Sequence, residues 1–161
     1  MLRVALGFTL ALLFHTSLFA ASFEITNAKV HRLIDGDTLV VDTAERGLLT
    51  LRLWGIDCPE KKQRFGSQAT EFLAFLVSGK PLTVKVRSQD QYGRNIAQVF
   101  YSGADIGLMM VRHGYAWHYI AVTKDKNLAQ AQVEAQKQHL GLWQDKNPTA
   151  PWVFRKVVKW Q

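Results

Sequence analysis

The order in which hydrophobic periods succeed one another constrains this chain more than any single residue does. From Phe23 to Ile56, apolar residues recur with period two or in short β-branched runs: Phe23 and Ile25, Leu39 to Val41, then Leu49, Leu51 and Leu53. Asp35-Gly36 and Arg46-Gly47 are turn signals that divide this stretch into a three-stranded antiparallel meander, with Arg52 on the face opposite Leu51 and Leu53. Over residues 67–78 the period becomes helical, with Ala69, Phe72, Leu73, Leu76 and Val77 on one face. Ser67 is the expected cap, and Gly79 followed by Pro81 the expected stop. Alternation then returns in Leu82, Val84 and Val86 against Thr83, Lys85 and Arg87, and again from Ile96 to Tyr101 beyond a Tyr92-Gly93 turn. Two further helices are predicted. A short one is capped by Asp105 and carries Ile106, Met109, Met110 and His113, and a second runs from Leu128 to His139 before Gly141.

Three strands, a helix, two strands and then helices do not make the alternating pattern of a parallel sheet, so the class is α+β. Five short strands interrupted by a helix fit a small OB-type β-barrel accompanied by three α-helices. The segment 147–161 is expected to be an extended basic tail. Pro148 and Pro151 oppose a helix there, and Trp152, Arg155, Lys156, Lys159 and Trp160 decorate it. A length of 161 residues suits a single domain, assigned to 21–161. The one cysteine, Cys58, forbids an intrachain disulfide and any cysteine-rich zinc module, so an apolar core must hold the fold.

Residues 1–20 read as a signal peptide rather than as part of the fold. Arg3 gives a basic start, Val4 to Phe14 an apolar run, and Leu18-Phe19-Ala20-Ala21 a small-residue exit. The alternative is an uncleaved anchor, but His15, Thr16 and Ser17 interrupt the run before the roughly 20 apolar residues a span requires. Export to the periplasm or medium is therefore expected, with no membrane attachment after cleavage. The full sequence has 20 Lys+Arg against 13 Asp+Glu, a formal +7, and cleavage removes only Arg3 from that balance. Such a surplus favours a polyanionic partner.

Three short segments concentrate polar residues beyond what folding requires: Ile34-Asp35-Gly36-Asp37-Thr38, Leu51 to Glu60, and Asp90-Gln91-Tyr92-Gly93-Arg94. Each has an ordinary reading. Asp35-Gly36 can be a plain hairpin turn, Asp57 a cap before Pro59, Glu60 a solvated charge and Arg94 a surface arginine. Arg52 is harder to dismiss, because a guanidinium between two inward leucines must reach solvent or meet an anion. Together the segments supply two carboxylates for a hard cation, Asp37 and Asp57, a third carboxylate in Glu60, and two arginines for an anion. That inventory suits metal-assisted phosphodiester cleavage: calcium takes oxygen ligands in irregular geometry, arginine forks grip phosphoryl oxygens, and a free carboxylate orients or deprotonates water. Cys58 as a nucleophile lacks a convincing base, and the histidines show no zinc spacing.

At this point the sequence resembles the thermonucleases, the staphylococcal-nuclease-like exported calcium-dependent nucleases. The carriers are Asp35-Gly36-Asp37-Thr38, Arg52 followed by Asp57-Cys58-Pro59-Glu60, Tyr92-Gly93-Arg94, Val111-Arg112-His113-Gly114 and Gly141-Leu142-Trp143. The resemblance implies a five-stranded OB-type barrel with three helices. It implies catalytic roles for Arg52, Glu60 and Arg94, and calcium held by Asp37, Asp57 and the backbone carbonyl of Cys58, where the best-known pattern has threonine. It also implies hydrolysis of DNA and RNA to 3′-phosphate products. The tyrosines that stack on the base in the best-known member fall near Ile120 and Val122, which are not aromatic, so Trp117 and Tyr119 are the candidate substitutes. Tyr92, Lys61 and Lys62 are further candidates for contacting substrate. Open single strands are the expected preference, since stacking needs exposed bases, and a monomer is expected. The rival reading is a noncatalytic OB-type module that only binds nucleic acid or another polyanion; the joint presence of Asp37, Asp57, Arg52, Glu60 and Arg94 opposes it.

Overall fold

The computed structural model describes residues 22–158, so the proposed signal peptide and the last residues of the tail lie outside it. The meander appears as β1 (Phe23–Leu33), β2 (Thr38–Thr43) and β3 (Gly47–Leu53). β5 (Leu82–Gln89) and β6 (Asn95–Tyr101) complete the sheet, which runs in the order β3-β2-β1-β5-β6, with β7 (Ala104–Asp105) added at the β6 edge. β1 is long and serves both neighbours. Its C-terminal half pairs with β2 and its N-terminal half with β5, with irregular register between Val30 and Arg32 and between Ile25 and Ala28. Such irregularities bend a strand and let a small sheet curl. Closure is parallel: Leu51, Arg52 and Leu53 of β3 lie against Asn95, Ile96 and Ala97 of β6. The result is the expected α+β barrel of OB type, whose interior is filled by Leu39, Val41, Leu51, Leu53, Leu82, Val84, Ala97 and Val99.

The helices are α1 (Gly66–Val77), α2 (Ile106–Arg112), α3 (Lys126–Lys137) and α4 (Pro151–Val158), with a 3₁₀ turn over Gly141–Gln144. α1 buries Ala69, Leu73, Leu76 and Val77, the stripe read from its period. Its start differs from expectation: Ser67 is not the cap. The helix opens at Gly66 behind Phe65, whose φ of 69° lies in the left-handed region. Gly66 passes so close to the carbonyl of Glu60 that a Cβ there would lie 2.1 Å from the oxygen. Tertiary contact with the preceding loop, not side-chain capping, fixes the helix origin. Asp105 caps α2 as expected, accepting from the Leu108 N–H, and Asp125 caps α3, which begins two residues ahead of Leu128.

One correction concerns the chain after the barrel. Three helices were expected and four are present among the described residues, because the tail is not extended: Pro151 sits at the first position of α4. A proline there loses no helical hydrogen bond and its fixed φ suits the helix, so it starts the element it was expected to prevent. Gly114 and Gly141 explain two glycine motifs at once. Their backbones cross, with the Leu142 N–H donating to the Gly114 carbonyl at 2.8 Å, and a Cβ on either would meet the other segment at 2.2 Å. The crossing brings Leu142 and Trp143 into a second apolar cluster with Ala135, against which Trp117 packs. A separate two-stranded ribbon pairs β4 (Ile56–Asp57) with β8 (Trp117–His118) beside the barrel mouth. Among the described residues, no helix is long and apolar enough to cross a membrane.

Candidate active site

A cleft of about 980 Å³ opens at the mouth of the barrel, where β2 begins and β3 and β4 end. Asp37 closes the turn between β1 and β2, its N–H donating to the Asp35 carboxylate at 3.1 Å. Arg52 lies opposite Thr38 in β2 and Ile96 in β6, at the seam where the barrel closes. Facing away from the core as the alternation requires, its guanidinium meets Asp37 and donates to Asp57 Oδ1 at 2.6 Å. Both acids are buried, Asp57 to 1% exposure. A carboxylate so far from water is retained only where cations or donors compensate it. Here the compensation is a guanidinium shared between the two acids, and the Cys58 N–H donating to Asp37 Oδ2 at 2.7 Å.

Cys58 is buried and its thiol donates to the Gly36 carbonyl at 3.2 Å. Burial pushes the thiol pKa well up; the Arg52 charge opposes this, and Asp35, Asp57 and Glu60 reinforce it. The residue is thus a packed neutral thiol, not a nucleophile. Among the described residues no three His, Cys, Asp or Glu side chains converge as a metal cluster. What converges is a pair of carboxylates, Asp37 and Asp57, beside the Cys58 backbone. That donor set is all oxygen and short of side chains, which fits a hard cation completed by water or substrate oxygens and does not fit zinc.

Glu60 follows on the loop from β4. Its N–H donates to Gln63 Oε1 at 2.8 Å and its carbonyl accepts from the Gln63 N–H, so the loop is pinned while the carboxylate points into the cleft. Its carboxylate is met by an arginine the sequence reading passed over as a tail charge. Arg155 of α4 donates to Glu60 Oε1 at 2.8 Å and also to Asp57, at 2.8 Å to Oδ2 and 3.2 Å to Oδ1. Those hydrogen bonds, with Asp57 the stronger cause, raise the Arg155 pKa against an opposing burial effect. The spacing of Trp152, Arg155 and Lys156, which all line the cleft, was the available signal, since i, i+3 and i+4 share a helical face.

Arg94 also lines the cleft. Its Nε donates to Asp90 Oδ2 at 2.8 Å, while Asp90 Oδ1 accepts the N–H groups of Tyr92 and Arg94. Burial would raise the Asp90 pKa, but the bonds from the Arg94 side chain and from the two backbone groups outweigh it and hold the carboxyl below its ordinary value. Tyr92 lines the same cleft, exposed, with the Arg94 guanidinium 5.6 Å from its ring. Tyr119 lines the cleft with its ring stacked on Trp152, centroids 5.4 Å apart. Trp117 does not line it. That indole is wedged between Trp143 and Trp152 at 4.4 and 5.6 Å, with its N–H buried, so the expected stacking platform is a packing residue. Lys61 and Lys62 are exposed on the loop after Glu60 and likewise lie outside the cleft lining.

Comparison with known proteins matches residues 50–145 to the family described as staphylococcal nuclease homologue. A protein of Escherichia coli O157:H7 described as an uncharacterized endonuclease is 39% identical over 143 residues, covering 86% of this chain and 93% of that relative. A Haemophilus influenzae protein with the same description is 38% identical over 151 residues, 94% of this chain and 85% of the relative. A micrococcal nuclease of Shigella flexneri is 37% identical over 142 residues, 81% of each chain. With a parallel-closed barrel beneath the matched segment and similarity running along most of each relative, the chain belongs to the staphylococcal nuclease family.

Proposed function

We propose that this protein is an exported, monomeric, calcium-dependent endonuclease. It hydrolyses phosphodiester bonds of DNA and RNA with little sequence specificity, prefers single strands and leaves 3′-phosphates. The observation that carries the reading is the pair of buried acids, Asp37 and Asp57, clasped by Arg52 at the open end of the barrel with Glu60 on the same cleft. A stable core gains nothing from burying two carboxylates and a guanidinium, since an apolar set of the same volume would serve as well or better. The descriptions of the relatives as endonucleases and as a micrococcal nuclease support the same reaction class.

Asp37, Asp57 and the Cys58 carbonyl would hold the cation, which when bound supplies positive charge against the phosphoryl oxygens. Arg52 and Arg94 both line the cleft, and each planar fork can take two phosphate oxygens as negative charge builds on them. Glu60 accepts a proton from the attacking water at a carboxylate oxygen. The new bond joins the water oxygen to phosphorus; the bond to the 5′ oxygen breaks, and that oxygen leaves as a hydroxyl after taking up a proton from solvent water in the open cleft. Tyr92 and Tyr119 present ring faces at the rim, on which unpaired bases can stack without regard to sequence. The net positive charge makes phosphate contacts the main source of affinity, so binding weakens steeply with salt.

The test is incubation of the purified protein with plasmid, single-stranded DNA and RNA, in calcium and in excess chelator. Calcium-dependent shortening of all three, fastest for single strands, is expected. Undiminished cleavage in chelator refutes the metal assignment, and tight binding without cleavage would indicate a binding module.

A further inference from the structure

α4 lies beyond the last residue matched to the family, yet it forms a wall of the cleft. Its docking does not rest on Arg155 alone: Trp152 also packs it down, stacked on Tyr119 and set edge-on against Trp117. The place of Arg155 is unusual. Its fork spans the two carboxylates of the proposed reaction, bidentate on Asp57 and single on Glu60.

Asp57 has little capacity left in this arrangement. Oδ1 accepts from both Arg52 and Arg155, and Oδ2 accepts from Arg155. A carboxylate offers about four lone-pair sites and three are taken, so a hard cation that needs more than the one left on Asp57 Oδ2 competes with Arg155. The side chain is 39% exposed and ends a flexible stem, so it can withdraw without moving α4. Once withdrawn it remains on the cleft wall beside Lys156, as a planar donor fork with no carboxylate fully to itself. A phosphate group in the cleft offers the same paired oxygen geometry that Asp57 offers now.

We propose that Arg155 is a third phosphate-binding arginine of the cleft, held on Asp57 and Glu60 until the cation and the nucleic acid occupy it. The inference rests on the nuclease reading and extends it to a residue outside the matched family segment. Two consequences follow from one substitution. Arg155→Ala removes a competitor for Asp57, so calcium binds at least as tightly as in the parent. It also removes a charged donor to phosphate, so a nucleotide phosphate binds more weakly.

The experiment uses the full chain and isothermal titration calorimetry with calcium alone, then with thymidine 3′-monophosphate at saturating calcium. The mononucleotide contains no phosphodiester bond to cleave. Arg155→Ala should lose about tenfold or more in affinity for it, in keeping with a charge-assisted hydrogen bond, while calcium affinity holds or rises. Arg155→Lys should recover part of the loss through its charge. Thermal unfolding of both variants confirms that α4 stays docked. Unchanged mononucleotide affinity, or none in the parent, overturns the proposal. So does weakened calcium binding in Arg155→Ala, which would make Arg155 a support for Asp57. Failure of the parent to cleave in calcium defeats the nuclease reading instead, and the binding comparison still decides the role of Arg155.

Discussion

Replacing Arg52 with alanine is expected to expose how much of the barrel mouth is held by charge. The substitution leaves Asp37 and Asp57 buried after removing the guanidinium that bridges them. Breaking a buried pair from one side costs about 3–5 kcal/mol, because the surviving charge stays desolvated. Arg155 still serves Asp57, so the low end applies, about 3 kcal/mol. Against a total stability on the order of 5–15 kcal/mol this is a large fraction. With a urea slope of about 2 kcal/mol/M, the midpoint should fall by about 1.5 M in chelator. Tryptophan fluorescence is a suitable probe, since Trp117 and Trp143 lie in one cluster that unfolding disperses. Calcium should restore much of the loss, because a cation can take over the neutralising role; at a hundred times its dissociation constant it returns about 2.7 kcal/mol. Turnover should nevertheless stay about 10²-fold or more below the parent even when folded, for want of a preorganised charge at the phosphoryl group. A midpoint in chelator indistinguishable from the parent would refute the argument that the two acids depend on Arg52.

Asp90→Asn should release Arg94 from its rim position and lower turnover severalfold on single-stranded DNA. Because the folded Asp90 carboxyl lies below its ordinary 3.8, its contribution to stability is complete above that value and disappears as pH falls through the folded value. Melting curves of parent and Asp90→Asn should therefore differ at neutral pH and converge in strong acid; a gap that widens toward acid would contradict the assignment. Cys58→Thr should keep calcium dependence and activity within a few-fold, since only the backbone carbonyl is asked to bind metal, and a thiol reagent should label the parent rapidly only after denaturation. A collapse of activity in Cys58→Thr would reveal a role for sulfur. Tyr119→Ala should raise KM on single strands more than it lowers kcat, whereas Trp117→Ala should lower the melting temperature and leave KM unchanged; the reverse pattern would restore Trp117 to the substrate surface.

What could be read from the chain was whatever local period and capping chemistry determine. The barrel strands, the buried stripe of α1 and the Asp105 cap all depend on residues within one turn or one pleat of each other. Ser67 misled because the origin of α1 is set by contact between Gly66 and the Glu60 carbonyl, which no cap rule contains. Pro151 misled because the same residue that breaks a helix interior is well tolerated at its first position, and the sequence alone did not say which applied. That error concealed Arg155, although Trp152, Arg155 and Lys156 already carried helical spacing. Trp117 was ambiguous in a different way: an indole next to a charged cleft can face it or lie behind it, and only the crossing of Gly114 and Gly141, which brings Trp143 up against it, decides. Asp37, Arg52 and Asp57 were findable because each strains an ordinary reading, and the structure brings all three within direct contact.

The parallel seam between β3 and β6 bears on when the protein becomes dangerous. Arg52 lies on that seam opposite Ile96, so its final position awaits a pairing between segments far apart along the chain. Contacts of that kind form late, because the entropy of closing the intervening loop is lost before the pairing rewards it. A chain with its meander already collapsed but its seam still open would hold Asp37 and Arg52 near each other without Arg94 in the cleft. For a cell that synthesises a nuclease beside its own nucleic acid, slow barrel closure is a form of safety, because a chain with an open seam has no assembled site. Refolding should accordingly show far-ultraviolet circular dichroism of the strands ahead of recovered phosphodiesterase activity, with the lag set by seam closure.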